Sequence, residues 1–335
     1  MPIDQSWPLE KVFEETEREQ LFAEPLLGRN DSPWLALRKG VVKKIKSAIG
    51  KSVYQAHEGA GLTPRGVFIT EILDQRREYI TVKNVSKWPG AKLKIKKEIV
   101  KVVKKDVVYP VLFGKEVSRW KVSQNKVYFT IILYDPATGK IFDEKFVKIN
   151  YPNAYAYYYN FKDTLINAAN YKQYGRGKPF YFIHRMGKQI FSPFKVVWGE
   201  VGTEITAAVT SQASVLEEKL LLPDYTCVYI PLRNEDEAFY ICAILNSTLS
   251  RLVTSYIHLH PDPHVLEYLR VEKYNPENET HKQLTVLSRE AHNAAARDNK
   301  DRLYEIENEI DVCVAKLYGL SQRDLDYIKM QFSEK

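Results

Sequence analysis

The spacing of apolar residues along the chain predicts three successive parts. In residues 1–50 the apolar positions recur every three or four residues, which is typical of amphipathic helices. One such pattern runs from Trp34 to Ile49, with Ser32 as its capping residue and Pro33 at its first position. We therefore expect residues 1–50 to form a helical, peripheral N-terminal segment.

From Val53 to about residue 270 the apolar period approaches two, as in half-buried strands. Val127–Tyr134 and Ile141–Ile149 predict a hairpin around a turn at residues 135–140. The other predicted strands are Val67–Leu73, a strand beginning at Val107, Phe180–His184, Phe194–Trp198 and Val228–Leu232. Near the end of this part, Glu237–Tyr256 predicts a helix with one apolar stripe.

Residues 271–335 return to helical spacing. Thr280–Tyr318 predicts two helices with a break near Arg297–Lys300, Gly319 suits the position after a helix end, and Ser321–Asp324 resembles a capping box. The fold class predicted from the whole pattern is α+β. We expect a mixed, mostly antiparallel sheet in residues 51–270, between helical segments at 1–50 and 271–335.

Composition narrows the possible classes of protein. The 335 residues are 44% hydrophobic and carry a formal charge of +7, so the chain is long enough for proper cores and mildly basic. Cys227, Cys242 and Cys313 lie far apart, which argues against a disulfide framework or a structural zinc site. There is no signal peptide after Met1 and no run of about 18 apolar residues, so we expect a cytoplasmic protein that does not enter a membrane.

The stretch from Thr164 to Gly199 contains no aspartate or glutamate, although 27% of the chain is charged. Its cations alternate with aromatic rings, a combination that suits a phosphodiester backbone and its bases. The cations are Lys172, Arg176, Lys178, Arg185, Lys188 and Lys195. A basic, solvated loop beside two buried strands is the alternative interpretation.

A second basic region, Lys83–Lys105, holds nine lysines against the single Glu98 and alternates them with apolar residues. This pattern predicts a half-exposed hairpin. A phosphate-contacting face is one interpretation of its charge, and solubility with protection of a sheet edge is the other.

Two further clusters, one acidic and one rich in histidine, are weaker signals of a functional site. Asp135 followed by Asp143 and Glu144 is similar to a nuclease carboxylate cluster, but a turn aspartate and an ordinary strand pair explain it better. Three histidines between His258 and His264 lie in a proline-broken loop without cysteine support, so a metal site there is the less favoured interpretation.

Six short motifs in a fixed order resemble the C-terminal half of adenine-specific DNA methyltransferases, including fused type II restriction–modification enzymes. The motifs are Gly61-Leu-Thr-Pro-Arg-Gly-Val-Phe68, Tyr109-Pro-Val-Leu-Phe-Gly-Lys-Glu-Val-Ser-Arg-Trp120, Tyr151-Pro-Asn-Ala-Tyr-Ala-Tyr157, Phe191-Ser-Pro-Phe-Lys-Val-Val-Trp198, Glu237-Ala-Phe-Tyr-Ile-Cys-Ala-Ile-Leu-Asn-Ser247, and Lys273-Tyr-Asn-Pro-Glu-Asn-Glu-Thr-His281 with Leu287-Ser-Arg-Glu-Ala-His292. The resemblance covers roughly residues 50–330.

In that family this half is the target-recognition region, which is similar to the specificity subunits of type I systems. The resemblance implies that residues 51–270 are a target-recognition domain for double-stranded DNA. The family's Gly-rich motif for S-adenosylmethionine and its (Asn/Asp/Ser)-Pro-Pro-(Tyr/Phe) motif, which grips the flipped adenine, are missing here. We therefore expect no catalytic residues and no cofactor in this chain, and a methyltransferase domain or subunit as the partner that binds S-adenosylmethionine.

The resemblance and the charge pattern together indicate two roles for the basic residues. Lysines and arginines of both basic regions would neutralise phosphates and set the register. Arginines would reach base edges, where a bidentate contact to guanine discriminates between bases. The predicted DNA-binding residues are Thr63, Arg65, Lys115, Arg119, Lys172, Arg176, Lys178, Arg185 and Lys188.

Two other classes of function stay open at this point. One is a metal-dependent DNA nuclease that uses Asp135, Asp143 and Glu144. The other is an assembly subunit that binds protein through Thr280–Phe332 and does not bind DNA.

Overall fold

The computed structural model describes residues 6–16, 20–91, 93–210, 212–213, 216, 219–256 and 260–333. Alternating apolar residues build its largest sheet, whose strands are β4 (Thr70–Gln75), β5 (Tyr79–Asn84), β6 (Val100–Lys104), β7 (Val108–Leu112), β10 (Tyr128–Ile131) and β15 (Leu222–Pro223). Their spatial order is β15-β7-β10-β4-β5-β6. All neighbours are antiparallel except β15, which pairs with β7 in parallel. The predicted α+β class, with a mixed and mostly antiparallel sheet, is confirmed.

A second sheet separates two hydrophobic cores. Its strands, in spatial order, are β12 (Ala208–Thr210), β11 (Phe194–Gly199), β16 (Cys227–Leu232) and β3 (His57–Glu58). Val196 and Trp198 of β11 face one core, whereas Val197 between them faces the other. This alternation follows from the two-residue period of a strand. The sheet is therefore a shared wall, and β11 and β16 confirm two of the predicted strands.

The N-terminal segment differs in part from its prediction. It contains α1 (Leu9–Glu15) and α2 (Lys39–Ile45), but between them lies a hairpin of β1 (Phe22–Pro25) and β2 (Trp34–Leu37). Ser32 does not cap a helix, because its hydroxyl accepts from the Leu27 amide and donates to the Arg29 carbonyl within a turn. The predicted helix from Trp34 was therefore wrong in its first turn.

The helices of the C-terminal part are α7 (Glu235–Asn246), α8 (Thr248–Ser255), α9 (Glu279–Ala296), α10 (Lys300–Leu317) and α11 (Gln322–Ser333). The predicted break between α9 and α10 is confirmed, and Gly319 has the expected positive φ of 72°. Ser321 and Asp324 exchange side-chain to backbone hydrogen bonds, which confirms the capping box. The single helix predicted for Glu237–Tyr256 is broken at Ser247, whose hydroxyl caps α8.

Two predicted strands of the middle part are absent from the described structure. After β10, the segment predicted as the second strand of a hairpin is the helix α4 (Glu144–Asn150), capped by the Asp143 carboxylate at the Phe146 amide. Of the strand pairing that the predicted hairpin requires, only an antiparallel bridge between Tyr134 and Ile141 is present. Phe180–His184 is irregular, and its single strand-like contact is a bridge from His184 to Gly61.

The remaining elements of the middle part are short. They are α3 (Arg65–Phe68), α5 (Pro152–Tyr159), α6 (Lys162–Asn167), β8 (Val117–Ser118), β9 (Lys121–Val122), β13 (Gln212–Ala213), β14 (Lys219–Leu220) and a π-helical turn at Tyr171–Gly175. Single 3-10 turns occur at Lys105–Val107, Gly114–Glu116, Lys188–Phe191 and Pro263–Glu267.

The two cores do not follow the order of the chain. One core combines residues of the N-terminal segment, such as Leu37 and Ile45, with the C-terminal helices and one face of the second sheet. Polar contacts reinforce this union, for example the ion pair from Lys44 to Asp324 at 2.6 Å. The other core is built from residues 60–191 and the opposite face of that sheet. Across the described ranges, none of the helices has the length and apolar character needed to cross a bilayer.

Candidate nucleic-acid interface

A cleft of about 380 Å³ opens where the Gly61–Gly66 loop meets two other segments. We call it the Thr63 cleft. Its lining residues are Thr63, Pro64, Arg65, Trp88, Pro89, Gly90, Ala91, Leu93, Ala168, Ala169, Asn170 and Tyr225. Three segments, together with Tyr225 from a fourth part of the chain, thus form one depression.

Close packing holds the first two of these segments together. A Cβ atom at Gly66 would lie 2.6 Å from a side-chain carbon of Ile95, so only glycine lets α3 approach this segment. The buried Asn84 amide adds three hydrogen bonds, to the Gly66 and Lys97 carbonyls and from the Ile99 amide. Asn84 carries no recognisable signal in the sequence, and pattern analysis missed it.

The third wall is fixed by one side-chain contact and one backbone contact. The Asn170 amide donates to the Thr63 hydroxyl at 2.7 Å, and the Gly61 amide donates to the His184 carbonyl at 2.9 Å. The Tyr174 ring stacks on the His184 ring with a centroid separation of 3.8 Å. The π-helical turn and its basic residues are therefore anchored directly beside the Thr63 cleft.

The cations in this turn and directly after it, within residues 172–178, have no carboxylate partners among the described residues. Lys172, Arg176 and Lys178 are exposed, and none of them forms an ion pair with any residue that the structure describes. The Lys178 ammonium lies 4.2 Å from the centre of the Phe182 ring, and the Tyr171 hydroxyl donates to the Lys178 carbonyl. The acid-free composition of the stretch thus produces a group of uncompensated positive charges.

The opposite wall carries further lysines. Trp88 packs against the Tyr128 and Phe113 rings at centroid distances of 5.0 and 5.2 Å, which fixes its half-buried indole at the cleft. Lys87 and Lys94 are exposed immediately before and after the described lining residues of this wall. An aromatic residue within a lysine-rich segment was visible in the sequence as a signal for this wall.

The hairpin predicted at Lys83–Lys105 exists as β5 and β6, with a long connection between them. Its lysines are not equivalent. Lys83 lies 3.7 Å from the Glu98 carboxylate, Lys105 is buried, and Lys92 lies outside the described residues. The phosphate-contacting interpretation therefore applies to only part of the nine lysines.

Arg65 lies at the base of the cleft and is engaged internally. Its guanidinium forms an ion pair with Asp224 at 2.9 Å, and the side chain is only 16% exposed. The rings of Trp88, Phe113 and Tyr225 surround it at 4.7–5.3 Å. This geometry gives Arg65 a role in holding the cleft together, and the base contact expected from the sequence stays a prediction.

Arg119 and Lys115 lie elsewhere. The Arg119 guanidinium is 3.4 Å from Glu307 and 3.8 Å from Glu204, in a polar cleft of about 230 Å³ against the C-terminal helices. Lys115 is exposed on the 3-10 turn that precedes β8. Arg119 therefore lies in a different cleft from Arg65.

Arg185 and Lys188 complete the set of predicted residues. Arg185 forms an ion pair with Glu58 and lines a third cleft, of about 390 Å³, which also contains His57 and His264. Lys188 is exposed on its 3-10 turn and forms no ion pair with the described residues. Of the nine predicted residues, the structure brings Thr63 and Arg65 together with the π-helical turn that contains Lys172 and is followed by Arg176 and Lys178.

The carboxylates of the nuclease hypothesis serve local structure. Asp135 accepts hydrogen bonds from the Ala137 amide and the Thr138 hydroxyl, which lower the pKa of its carboxyl. Asp143 caps α4, and Glu144 accepts from the Tyr155 hydroxyl. Within the described ranges, no three His, Cys, Asp or Glu side chains are grouped as metal ligands, and His258 falls outside those ranges.

Comparison with known proteins adds no family to these observations. The chain matches no protein-family model, and no curated protein matches it significantly. The resemblance to adenine-specific methyltransferases therefore rests on the six motifs and their order.

Proposed function

We propose that this chain is the double-stranded DNA recognition module of an adenine-specific DNA methyltransferase or restriction–modification system. The observation that carries the proposal is the uncharged, aromatic Thr63 cleft with uncompensated cations beside it. Exposed cations without carboxylate partners bind phosphates by releasing counterions, and the neighbouring apolar cleft offers contact to bases.

Methyl transfer belongs to a partner in this proposal. The motifs that bind S-adenosylmethionine and the target adenine are missing from the sequence, so a separate catalytic domain or subunit would supply both. The C-terminal helices offer exposed apolar side chains for such a contact: Tyr304 is 70% exposed, Met330 is 52% exposed and Val312 is 47% exposed. Aromatic residues and methionine are enriched in protein interfaces.

Substituting the cations in and directly after the π-helical turn should weaken DNA binding and reduce its dependence on salt. In Lys172→Ala, Arg176→Ala and Lys178→Ala, each lost phosphate contact should lower the slope of log affinity against log salt by about 0.9. In the triple variant this slope should therefore be lower by about 2.7, three times the value for one contact. Fluorescence anisotropy with a labelled duplex at several salt concentrations measures this slope.

Lys316→Ala and Arg323→Ala are matched controls. Both residues are exposed on the C-terminal helices, and neither forms an ion pair with the described residues. Their slopes should equal that of the unmodified protein. An unchanged slope in the triple variant, or an equal loss in these controls, would contradict the proposed interface. A protein without measurable duplex affinity at low salt would contradict the proposed function itself.

A further inference from the structure

The interior of the Thr63 cleft is apolar and aromatic. Trp88 and Tyr225 contribute rings, and Pro64 and the 48% exposed Leu93 contribute aliphatic surface. The cleft volume of about 380 Å³ lies within the range of sites for small ligands. Such walls favour a flat, unsaturated ring over a flexible or strongly hydrated ligand.

The cleft is also electrically neutral inside. Arg65 is the one charged side chain among the described lining residues, and its charge is compensated by the Asp224 carboxylate. An anionic ligand would therefore lose its hydration without gaining a free cation in the interior. The free cations lie outside, at Lys87, Lys94 and Lys172.

One donor and one acceptor remain available on the cleft wall. Because the Asn170 Nδ2 atom donates to Thr63 Oγ1, the Thr63 hydroxyl proton and the Asn170 Oδ1 atom stay free. Neither has another partner among the residues that the structure describes. A neighbouring donor and acceptor are what the edge of a nucleobase requires.

We infer that the Thr63 cleft receives one nucleobase that has left the stack of a DNA strand. The ring enters between the apolar walls, its edge meets Thr63 and Asn170, and its adjoining phosphates lie near the flanking cations. This inference rests on the proposed function, which it deepens by assigning the cleft to an unstacked base.

Three labelled duplexes with equal numbers of phosphates test the inference. The first is fully paired, the second contains three adjacent mismatches, and the third has abasic sites in place of both bases of each mismatched pair. Unpaired bases avoid the cost of leaving the stack, so the mismatched duplex should bind about tenfold more tightly than the other two.

Ala169→Leu fills the cleft from an exposed position on its wall and should abolish this preference. Ala296→Leu, an equal change at the exposed end of α9, should retain it. A base in the cleft could belong to a DNA strand or to a free mononucleotide. Deoxyadenosine monophosphate and deoxythymidine monophosphate, added as competitors at up to millimolar concentration, distinguish these two sources. A base held by its strand should resist them.

Each outcome has a defined meaning. Equal binding of all three duplexes, or tight binding of the abasic duplex, would overturn the inference while leaving DNA recognition intact. The same holds if Ala169→Leu keeps the tenfold preference. Removal of the preference by micromolar mononucleotide would reassign the cleft to a free nucleotide. If none of the duplexes binds, the proposed function fails and the inference fails with it.

Discussion

Arg65→Met is expected to destabilise the folded protein by about 3–5 kcal/mol at pH 7, the usual cost of breaking a buried ion pair. The reason is Asp224, whose side chain is completely buried. Burial raises the pKa of the Asp224 carboxyl, and the nearby Arg65 guanidinium opposes that increase. Without the guanidinium, the fold must hold an uncompensated carboxylate or bind a proton.

Urea unfolding at pH 7 and pH 5 measures this effect. The loss should be smaller at pH 5, because a carboxyl with a raised pKa binds a proton as the pH falls and no longer needs a counter-charge. Arg65→Met combined with Asp224→Asn should recover much of the stability, since asparagine can still accept the hydrogen bond from the Thr226 amide.

The same variants separate a structural role from base recognition. If Arg65 read a base, Arg65→Met would relax sequence preference and leave the free energy of unfolding near its original value. A stable Arg65→Met protein with altered preference would therefore contradict the role that the ion pair assigns to Arg65.

The fold was predictable where the relevant interactions are local. The end of α10 at Gly319 and the capping box at Ser321 depend on neighbouring residues, so their sequence signals were reliable. The strands β11 and β16 were equally clear, because long runs of apolar residues suit a sheet that is buried on both faces.

The failures occurred where one apolar pattern fitted two conformations and an interaction outside the pattern, a helix cap or a strand partner, decided between them. The segment after Ile141 has apolar residues that fit a strand, but Asp143 caps a helix there. Trp34–Leu37 has helical spacing, but pairing with β1 makes it a strand. In each case a local pattern fitted two periods, and contacts beyond the segment selected one of them.

In the candidate site, too, the sequence predicted local features better than contacts between distant residues. Lys172, Arg176 and Lys178 were identified from an absence of carboxylates in their own stretch, and none of them forms an ion pair with the described residues. The ion pair of Arg65 could not be predicted from the sequence, because its partner, Asp224, is 159 residues away in the chain. Counting charges along a sequence cannot reveal which of them are paired in the fold.

Lys195→Met is expected to stabilise the protein at pH 7, although it removes a charged residue from the basic stretch. The Lys195 side chain is fully buried, its Nζ atom donates to the Ser192 carbonyl at 2.7 Å, and it forms no ion pair with the described residues. Burial lowers the pKa of Lys195 to about 7. Unfolded lysine keeps its proton up to about pH 10.4.

Between these two pKa values the unfolded chain binds more protons than the folded one. Lys195 therefore makes the free energy of unfolding of the unmodified protein increase as the pH rises. From pH 7 to pH 9 the gain should be about 2 kcal/mol, since one pKa unit corresponds to about 1.36 kcal/mol. Methionine has no ionisable group, so Lys195→Met lacks this pH-dependent gain. Its advantage over the unmodified protein should therefore be largest near pH 7 or below and shrink by about that amount at pH 9.

The quantity to compare is the difference in the free energy of unfolding between Lys195→Met and the unmodified protein, measured by urea unfolding at each pH. The Cys227, Cys242 and Cys313 thiols have raised pKa values because of burial, so they ionise more readily when unfolded and lower the stability of both proteins alike above about pH 8.5. Lys316→Met, at an exposed position of α10, should show no such pH-dependent difference. A constant difference between Lys195→Met and the unmodified protein from pH 7 to pH 9 would mean that Lys195 stays protonated in the fold.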